Sequence, residues 1–328
     1  MGHLSRRSVA LGAIVIATAM SACIPAMADD AWPTKPLTII VPYPPGGLTD
    51  VVTRPMAAKL SEILGKPVVV MNQPGAGGKV GLQTMLKAPL DGHTIGVVVP
   101  ATMVSLPLTD KEYGIDPLKE FTPLTIAVDT FMLLISNASA GKNLKEFAAN
   151  ARANPGKFNY GTLGPGTSYH FYSVILSKEL GIDAVHVAYK GDVGALNDLA
   201  GGQTQFMLTS AAAGRSYIDS GKVVPLGVTS TARVASLPDI PTLREQGVNV
   251  VTDGWVGFVV PAGTPAPIAK KLEAAMRQAI DDPAVRKVYT GVGYIVRGST
   301  GEEFRTTVEA SLKRFGQLIK DGDIKLEK

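Results

Sequence analysis

LTIIVPYPPGGLTDVVTRPMAAKLSEIL, residues 37–64, is the stretch that decides the fold. Residues 37–42 form a short, β-branched apolar run that stops at Tyr43-Pro44-Pro45-Gly46-Gly47. Residues 50–64 then place Val51, Val52, Met56, Leu60, Ile63 and Leu64 at helical spacing. The pattern is strand, glycine loop, helix. Thr49 is the expected N-cap, and Pro55 is expected to kink the helix or loosen its first turns.

The unit repeats outward from there. Residues 67–71 (PVVVM) are a second strand, 72–78 (NQPGAGG) a second loop, 80–88 a short helix and 94–99 (TIGVVV) a third strand. Strands alternating with helices predict a parallel sheet covered by helices, an α/β fold. A second series follows: a strand near 131–136, a helix at 144–152, a strand at 158–161, a glycine loop at 161–167 and a helix at 168–180. Strand-like runs recur at 184–188, 205–209 and 223–229. Thr264-Pro265 opens a helix with Ile268, Leu272, Met276 and Ile280 on one face. Thr300 and Glu303 form a capping box for a last helix striped with Phe304, Val308, Leu312, Phe315 and Ile319. No long linker separates the two series, so the chain is expected to cross between two domains twice, near 126–131 and 250–258.

Composition narrows the class. The chain has 328 residues, 45% hydrophobic and 18% charged, a folded, soluble balance. Its 35 Gly and 23 Pro predict many tight loops. The net charge is +4, but Arg6 and Arg7 fall in the first 28 residues, which hold no acid, so 30 basic residues face 28 acids beyond them. That balance leaves no field for nucleic acid. Residues 8–22 (SVALGAIVIATAMSA) are an apolar run followed by Ala26-Met27-Ala28, which reads as a secretory signal peptide over 1–28 cleaved after Ala28. An exported, periplasmic protein is expected. A lipidated Cys23 is the competing reading, and Met20 fits it poorly. The single cysteine excludes an intramolecular disulfide framework and a multi-cysteine metal site.

The candidate chemistry lies in the glycine loops. In VPYPPGGLTD (41–50), unpaired N–H groups of Gly47 to Thr49 and a helix N-terminus converge, an anion site built from backbone. NQPGAGG offers a second set of donors, and YGTLGPGTS (160–168) a third, with the hydroxyls of Thr167 and Ser168. None is a nucleotide motif: GAGGKVG (75–81) is one residue too long for the dinucleotide fingerprint, and Lys79 precedes Val80 where a phosphate loop needs Ser or Thr. His93, His170 and His186 lack metal-ligand spacing, so no metal and no cofactor is expected. A hydrolase built from Ser168, His170 and Asp192 or Asp198 is a remote alternative without a G-x-S-x-G elbow, and no enzymatic activity is expected.

These loops, together with APLDGHTI (88–95), YGIDPLKEFTP (113–123), AYKGDVGALNDLAGGQTQFM (188–207) and PAGTPAPI (261–268), resemble the solute-binding receptors of tripartite tricarboxylate transporters, the Bug or TctC family. The resemblance runs from about residue 32 to the C-terminus. It implies a two-domain periplasmic binding protein of the Venus-flytrap kind, each domain a mainly parallel sheet flanked by helices. Residues 29–128 plus 254–328 would form domain 1 and 129–253 domain 2. It further implies a monomer that closes on a small carboxylate and delivers it to membrane permease subunits. A sensor reporting to a two-component system is the alternative role.

Carried over residue by residue, one carboxylate falls to Tyr43, Pro44, Gly47, Thr49 and Asp50 with Ala76, Gly77 and Gly78, and Thr102 stands on the wall beside them. The far end of the ligand falls to Gly164, Gly166, Thr167, Ser168 and His170, with Tyr189 and Thr209. Tyr43, Tyr169, Phe131 and Trp255 are candidate flat walls. Two departures from the family pattern bear on the ligand. Thr209-Ser210 stands where many members have an acid, which relaxes any demand for a ligand amino group, and 101–106 (ATMVSL) makes its wall more apolar. The expected ligand is a dicarboxylate without an amino group, with an aromatic diacid such as terephthalate among the options.

Overall fold

The computed structural model describes residues 32–252 and 254–322. The expected signal peptide over 1–28, its expected cleavage after Ala28 and the lipidation alternative at Cys23 lie outside the described residues. Eleven strands are present among the described residues: β1 Leu37–Val41, β2 Val68–Asn72, β3 Thr94–Val98, β4 Phe121–Thr130, β5 Leu133–Asn137, β6 Phe158–Thr162, β7 Ala184–Ala188, β8 Phe206–Thr209, β9 Val223–Val228, β10 Gly254–Pro261 and β11 Ile295–Val296. They form two sheets, ordered β2-β1-β3-β10-β4-β11 and β7-β6-β8-β5-β9. Helices flank both, the two-domain α/β architecture expected from the alternating strand and helix signals.

Each sheet has a parallel part and an antiparallel insertion. β1 pairs in parallel with β2 and β3, while β10 runs antiparallel between β3 and β4. In the second sheet β6 pairs in parallel with β7 and β8, and β5 runs antiparallel between β8 and β9. The parallel strands therefore deliver their loops and helix starts to one edge of each sheet, where α/β proteins gather ligands.

The crossings differ from the expected ranges. β4 continues in the first sheet to Thr130, so the outward crossing is confined to Phe131 and Met132, between β4 and β5. Residues 254–258 are not linker at all: β10 pairs with β4 from Gly254 opposite Thr130 to Pro261 opposite Phe121. The physical reason is burial, since β10 carries Trp255, Val256, Phe258, Val259 and Val260 into the core. The crossings are stapled by a buried threonine. Met132 N–H donates to Thr229 Oγ1 at 2.8 Å, and Thr229 Oγ1 lies 2.8 Å from Thr252 Oγ1.

The helix Leu48–Leu64 starts two residues earlier than expected. Its N-cap is Gly47, without a side-chain cap, so Thr49 sits inside the first turn and is not the cap. It runs on through Pro55 to a left-handed Gly65. The capping box of Thr300 and Glu303 is present and starts the helix Gly301–Lys320. That helix ties the halves together. Phe304, near its start, packs edge-on against Trp255 at 4.8 Å, and Phe315, near its end, stacks flat on Phe171 of the helix Ser168–Leu180 at 4.3 Å.

Candidate functional site

A cavity of about 520 Å³ opens where the two sheets' loop edges meet. From the first sheet's side come Tyr43, Pro44, Pro45, Gly47, Leu48 and Thr49, all on the loop between β1 and its helix or in that helix's first turn. The end of β3 adds Val99, Pro100 and Ala101, the crossing adds Thr130 and Met132, and β10 adds Gly254 and Trp255. From the second sheet's side come Ser168 and Tyr169, the first residues of their helix. No lining residue is charged. Helix N-termini from opposite sides thus share one cavity, each bringing free backbone N–H groups and the positive end of a helix dipole.

The first loop is held from behind. Asp50 is buried, and its carboxylate accepts from Gly46 N–H at 2.9 Å, from the Arg54 guanidinium at 2.7 and 2.9 Å, and from Asn72 Nδ2 at 3.0 Å. Burial pushes its pKa up, and these donors together outweigh it and hold the group below the ordinary carboxylate range. Asp50 fixes the loop instead of facing the cavity. Asn72 Nδ2 also donates to the Tyr43 carbonyl at 3.1 Å, and Tyr43 Oη donates to the Gly77 carbonyl at 3.2 Å. Burial drives the Tyr43 hydroxyl well above its usual range, so it stays protonated and remains a donor.

Two buried polar atoms of cavity-lining residues, Thr49 Oγ1 and Trp255 Nε1, have no hydrogen-bond partner among the described residues. With cradle and anion-favouring ends described, sequence comparison becomes decisive. The model for the tripartite tricarboxylate transporter family receptor matches residues 52–324. The chain belongs to this solute-binding receptor family.

Relatives agree over nearly the whole length. A UPF0065 protein from the tcbD-tcbE intergenic region of Pseudomonas sp. (strain P51) is 33% identical over 325 residues, covering 97% of this chain and 95% of that one. Among solved structures, the periplasmic binding protein BugD superposes with a TM-score of 0.69 at 31% identity, covering 90% of this chain and 99% of BugD. The R. palustris protein Rpa4515 with adipate superposes at 0.72 with 28% identity, covering 89% of this chain and 99% of that one. No helix among the described residues is long and apolar enough to cross a membrane.

Within this receptor fold, the residues singled out from sequence, Asp50 aside, fall into four groups. Tyr43, Pro44, Gly47, Thr49 and Ser168 line the cavity. Ala76, Gly77, Gly78 and Thr102 are not on its lining, and Gly77 and Gly78 adjoin the lining Tyr43. Gly78 is at φ +105°, and a Cβ there would lie 2.8 Å from Thr102 Cγ2 and 3.2 Å from Tyr43 Oη, so only glycine permits the contact. Thr102 is fully buried, its hydroxyl donating to the Val99 carbonyl at 3.0 Å. The third group supports the second loop. Thr167 caps the helix Ser168–Leu180 by accepting from His170 N–H, and its hydroxyl donates to the Gly164 carbonyl at 2.8 Å. His170 is buried, accepts from Gly166 N–H at 3.3 Å and stacks on His186 with centroids 3.9 Å apart. Burial first, then the neighbouring His186, lower its pKa to about 4.

Tyr189 and Thr209 are engaged with acids. Tyr189 Oη donates to Asp198 Oδ2 at 2.7 Å, and Thr209 Oγ1 approaches Asp192 Oδ1 at 3.5 Å. Ser168, His170 and Asp192 or Asp198 are not joined as a triad among the described residues: His170 Nδ1 accepts from Gly166 N–H, Asp198 accepts from Tyr189 and Asp192 from Thr209. Among the described residues, no three His, Cys, Asp or Glu side chains converge to hold a metal ion. Of the four candidate walls, Tyr43, Tyr169 and Trp255 face the cavity, whereas Phe131 is not on its lining. Residues missed from sequence are Val99, Pro100, Thr130, Met132 and Gly254. They arrive from strand ends and crossings, where the only local signal was Pro100 closing an apolar strand.

Proposed function

We propose that this protein is an extracytoplasmic solute receptor that captures a small dicarboxylate in the cleft and delivers it to a tripartite tricarboxylate-type membrane permease. The part of the chain from Leu133 to Thr252, between the two crossings, moves as one body against the part that carries the first sheet and closes over the ligand. The observation that carries this reading is the uncharged, mostly apolar cavity into which two helices from opposite sheets point their first residues, Leu48 and Thr49 on one side, Ser168 and Tyr169 on the other. Such ends hold anions without a counter-charge. One carboxylate sits at Gly47 to Thr49, the second at Thr167 and Ser168, and the body of the ligand lies along Tyr43, Pro100, Met132 and Trp255. That wall suits a hydrocarbon chain or an aromatic ring, so terephthalate stands beside adipate among the candidates. The adipate in Rpa4515 supports a diacid of this length.

Calorimetry across succinate, adipate, citrate, glutamate and terephthalate, with hexanoate and benzoate as the monocarboxylates, tests the reading. Binding of adipate or terephthalate in preference to a monocarboxylate of equal length supports it. Binding of monocarboxylates alone contradicts it.

A further inference from the structure

Behind the cavity-lining Tyr169, and off the lining itself, the second sheet carries a carboxylate that the binding scheme above does not use. β6, β7 and β8 are mutually aligned, so the segments after Thr162, Ala188 and Thr209 leave from one edge. Tyr189 N–H donating to the Thr162 carbonyl at 2.9 Å joins two of them. Leu133 pairs with Thr209, which places Thr209 one residue from Met132 on the cavity wall. At this edge Asp192 opens the helix Asp192–Gly201 behind Gly191. Its carboxylate is half-buried, and its one hydrogen-bond partner among the described residues is Thr209 Oγ1. No Lys or Arg of the described residues pairs with it, and the preceding Lys190 is exposed. The cavity-lining Tyr169 feels this charge: burial, then Asp192, push its hydroxyl to about 12.

An unpaired carboxylate accepts hydrogen bonds and repels other anions. We infer that Asp192 is a specificity-determining residue, reading with Thr209 a hydrogen-bond donor on the bound acid, a hydroxyl or an amine, beside the carboxylate held at Ser168. This rests on the receptor reading and narrows its ligand to a hydroxy- or amino-substituted diacid. The fold sets Asp192 against Thr209, although the two are 17 residues apart in sequence. A ligand amino group, set aside on the sequence, returns as an option.

Matched ligands separate the possibilities. Calorimetry on the whole protein compares succinate with malate and aspartate, and terephthalate with its 2-hydroxy and 2-amino forms, so that each series differs only in the donor. The substituted acid is expected to bind at least about tenfold tighter than its parent, the effect of one charge-assisted hydrogen bond. Asp192→Asn should erase that ratio while leaving the parent acid's affinity unchanged or improved, and Thr209→Val should reduce it. A ratio near one in the unaltered protein, or a ratio that survives Asp192→Asn, overturns the inference while the receptor reading stands. A lower melting temperature with an unchanged ratio would assign Asp192 to the helix dipole alone and overturns it too. Absence of binding by every acid tested removes the receptor reading itself. Asp192→Ser, which keeps a polar group in the first helical turn, provides the second variant if Asp192→Asn does not fold.

Discussion

The two walls of the cleft are built on opposite plans. On the first sheet's side an ion pair and amide behind the loop, Asp50 with Arg54 and Asn72, hold an uncharged, proline-rich surface in place. On the second sheet's side the support is neutral, a cap from Thr167 and stacked His170 and His186 rings, while the unpaired charge, Asp192, stands behind the cavity-lining Tyr169. One wall hides its charge and offers backbone; the other offers charge and hydroxyls. The first is suited to grip any carboxylate, and the second to tell one acid from another.

Breaking the hidden lock should do the most damage. Asp50→Ala strips the partners from Gly46 N–H and Asn72, and the loss of charge-assisted hydrogen bonds of about 1.5–3 kcal/mol is expected to weaken diacid binding by roughly 10- to 100-fold. The same variant should lower the melting temperature by about 3–10 °C in a chain of this size. Unaltered affinity for every diacid would show that the lock does not shape the grip. Gly78→Ala comes next: its Cβ would crowd Thr102 and Tyr43 at a left-handed φ of +105°, which costs about 1–3 kcal/mol, and binding should fall about tenfold. Gly77→Val, at φ +64° with Leu106 Cδ1 3.2 Å from the new Cβ, should also weaken binding with the fold retained by circular dichroism.

Effects on the second wall should be smaller and selective. Ser168→Ala removes one neutral hydroxyl, so a two- to tenfold loss is expected for diacids, following the roughly 0.5–1.5 kcal/mol of such a bond, and a monocarboxylate should be unaffected. The smallest effect concerns pH. His170 stays neutral in the folded protein down to about pH 4, whereas in the unfolded chain it takes up a proton near the ordinary histidine value of 6.5. Protonation therefore favours the unfolded chain as pH falls from about 6.5 to 4, and this group contributes no pH dependence above that window. Thermal melts should show stability declining through the window, and His170→Asn should shallow the decline. An unchanged slope in the variant would assign it to other groups.

Much of this was legible along the chain because the first wall is local. Tyr43 to Thr49 are contiguous, and proline, glycine and a following apolar helix announce their own geometry. β4 and β10 were not legible as strands, since they pair across more than 120 residues of sequence and neither alternates polar with apolar. The second wall was read only in part for the same reason. Ser168 could be placed from its glycine loop, but counting acids by position at 209 and 210 missed Asp192, which reaches Thr209 from another strand's loop. Val99, Thr130, Met132 and Gly254 join the cavity through topology alone.

The central claim is that uncharged helix ends from both walls grip the carboxylates of a small acid. Calorimetric titration of adipate against its dimethyl ester tests it most directly, because the two differ in charge while sharing the same chain. Saturable binding of adipate, or of terephthalate in the parallel aromatic pair, is expected, with no binding of the esters. Esters that bind as tightly as their acids would contradict it.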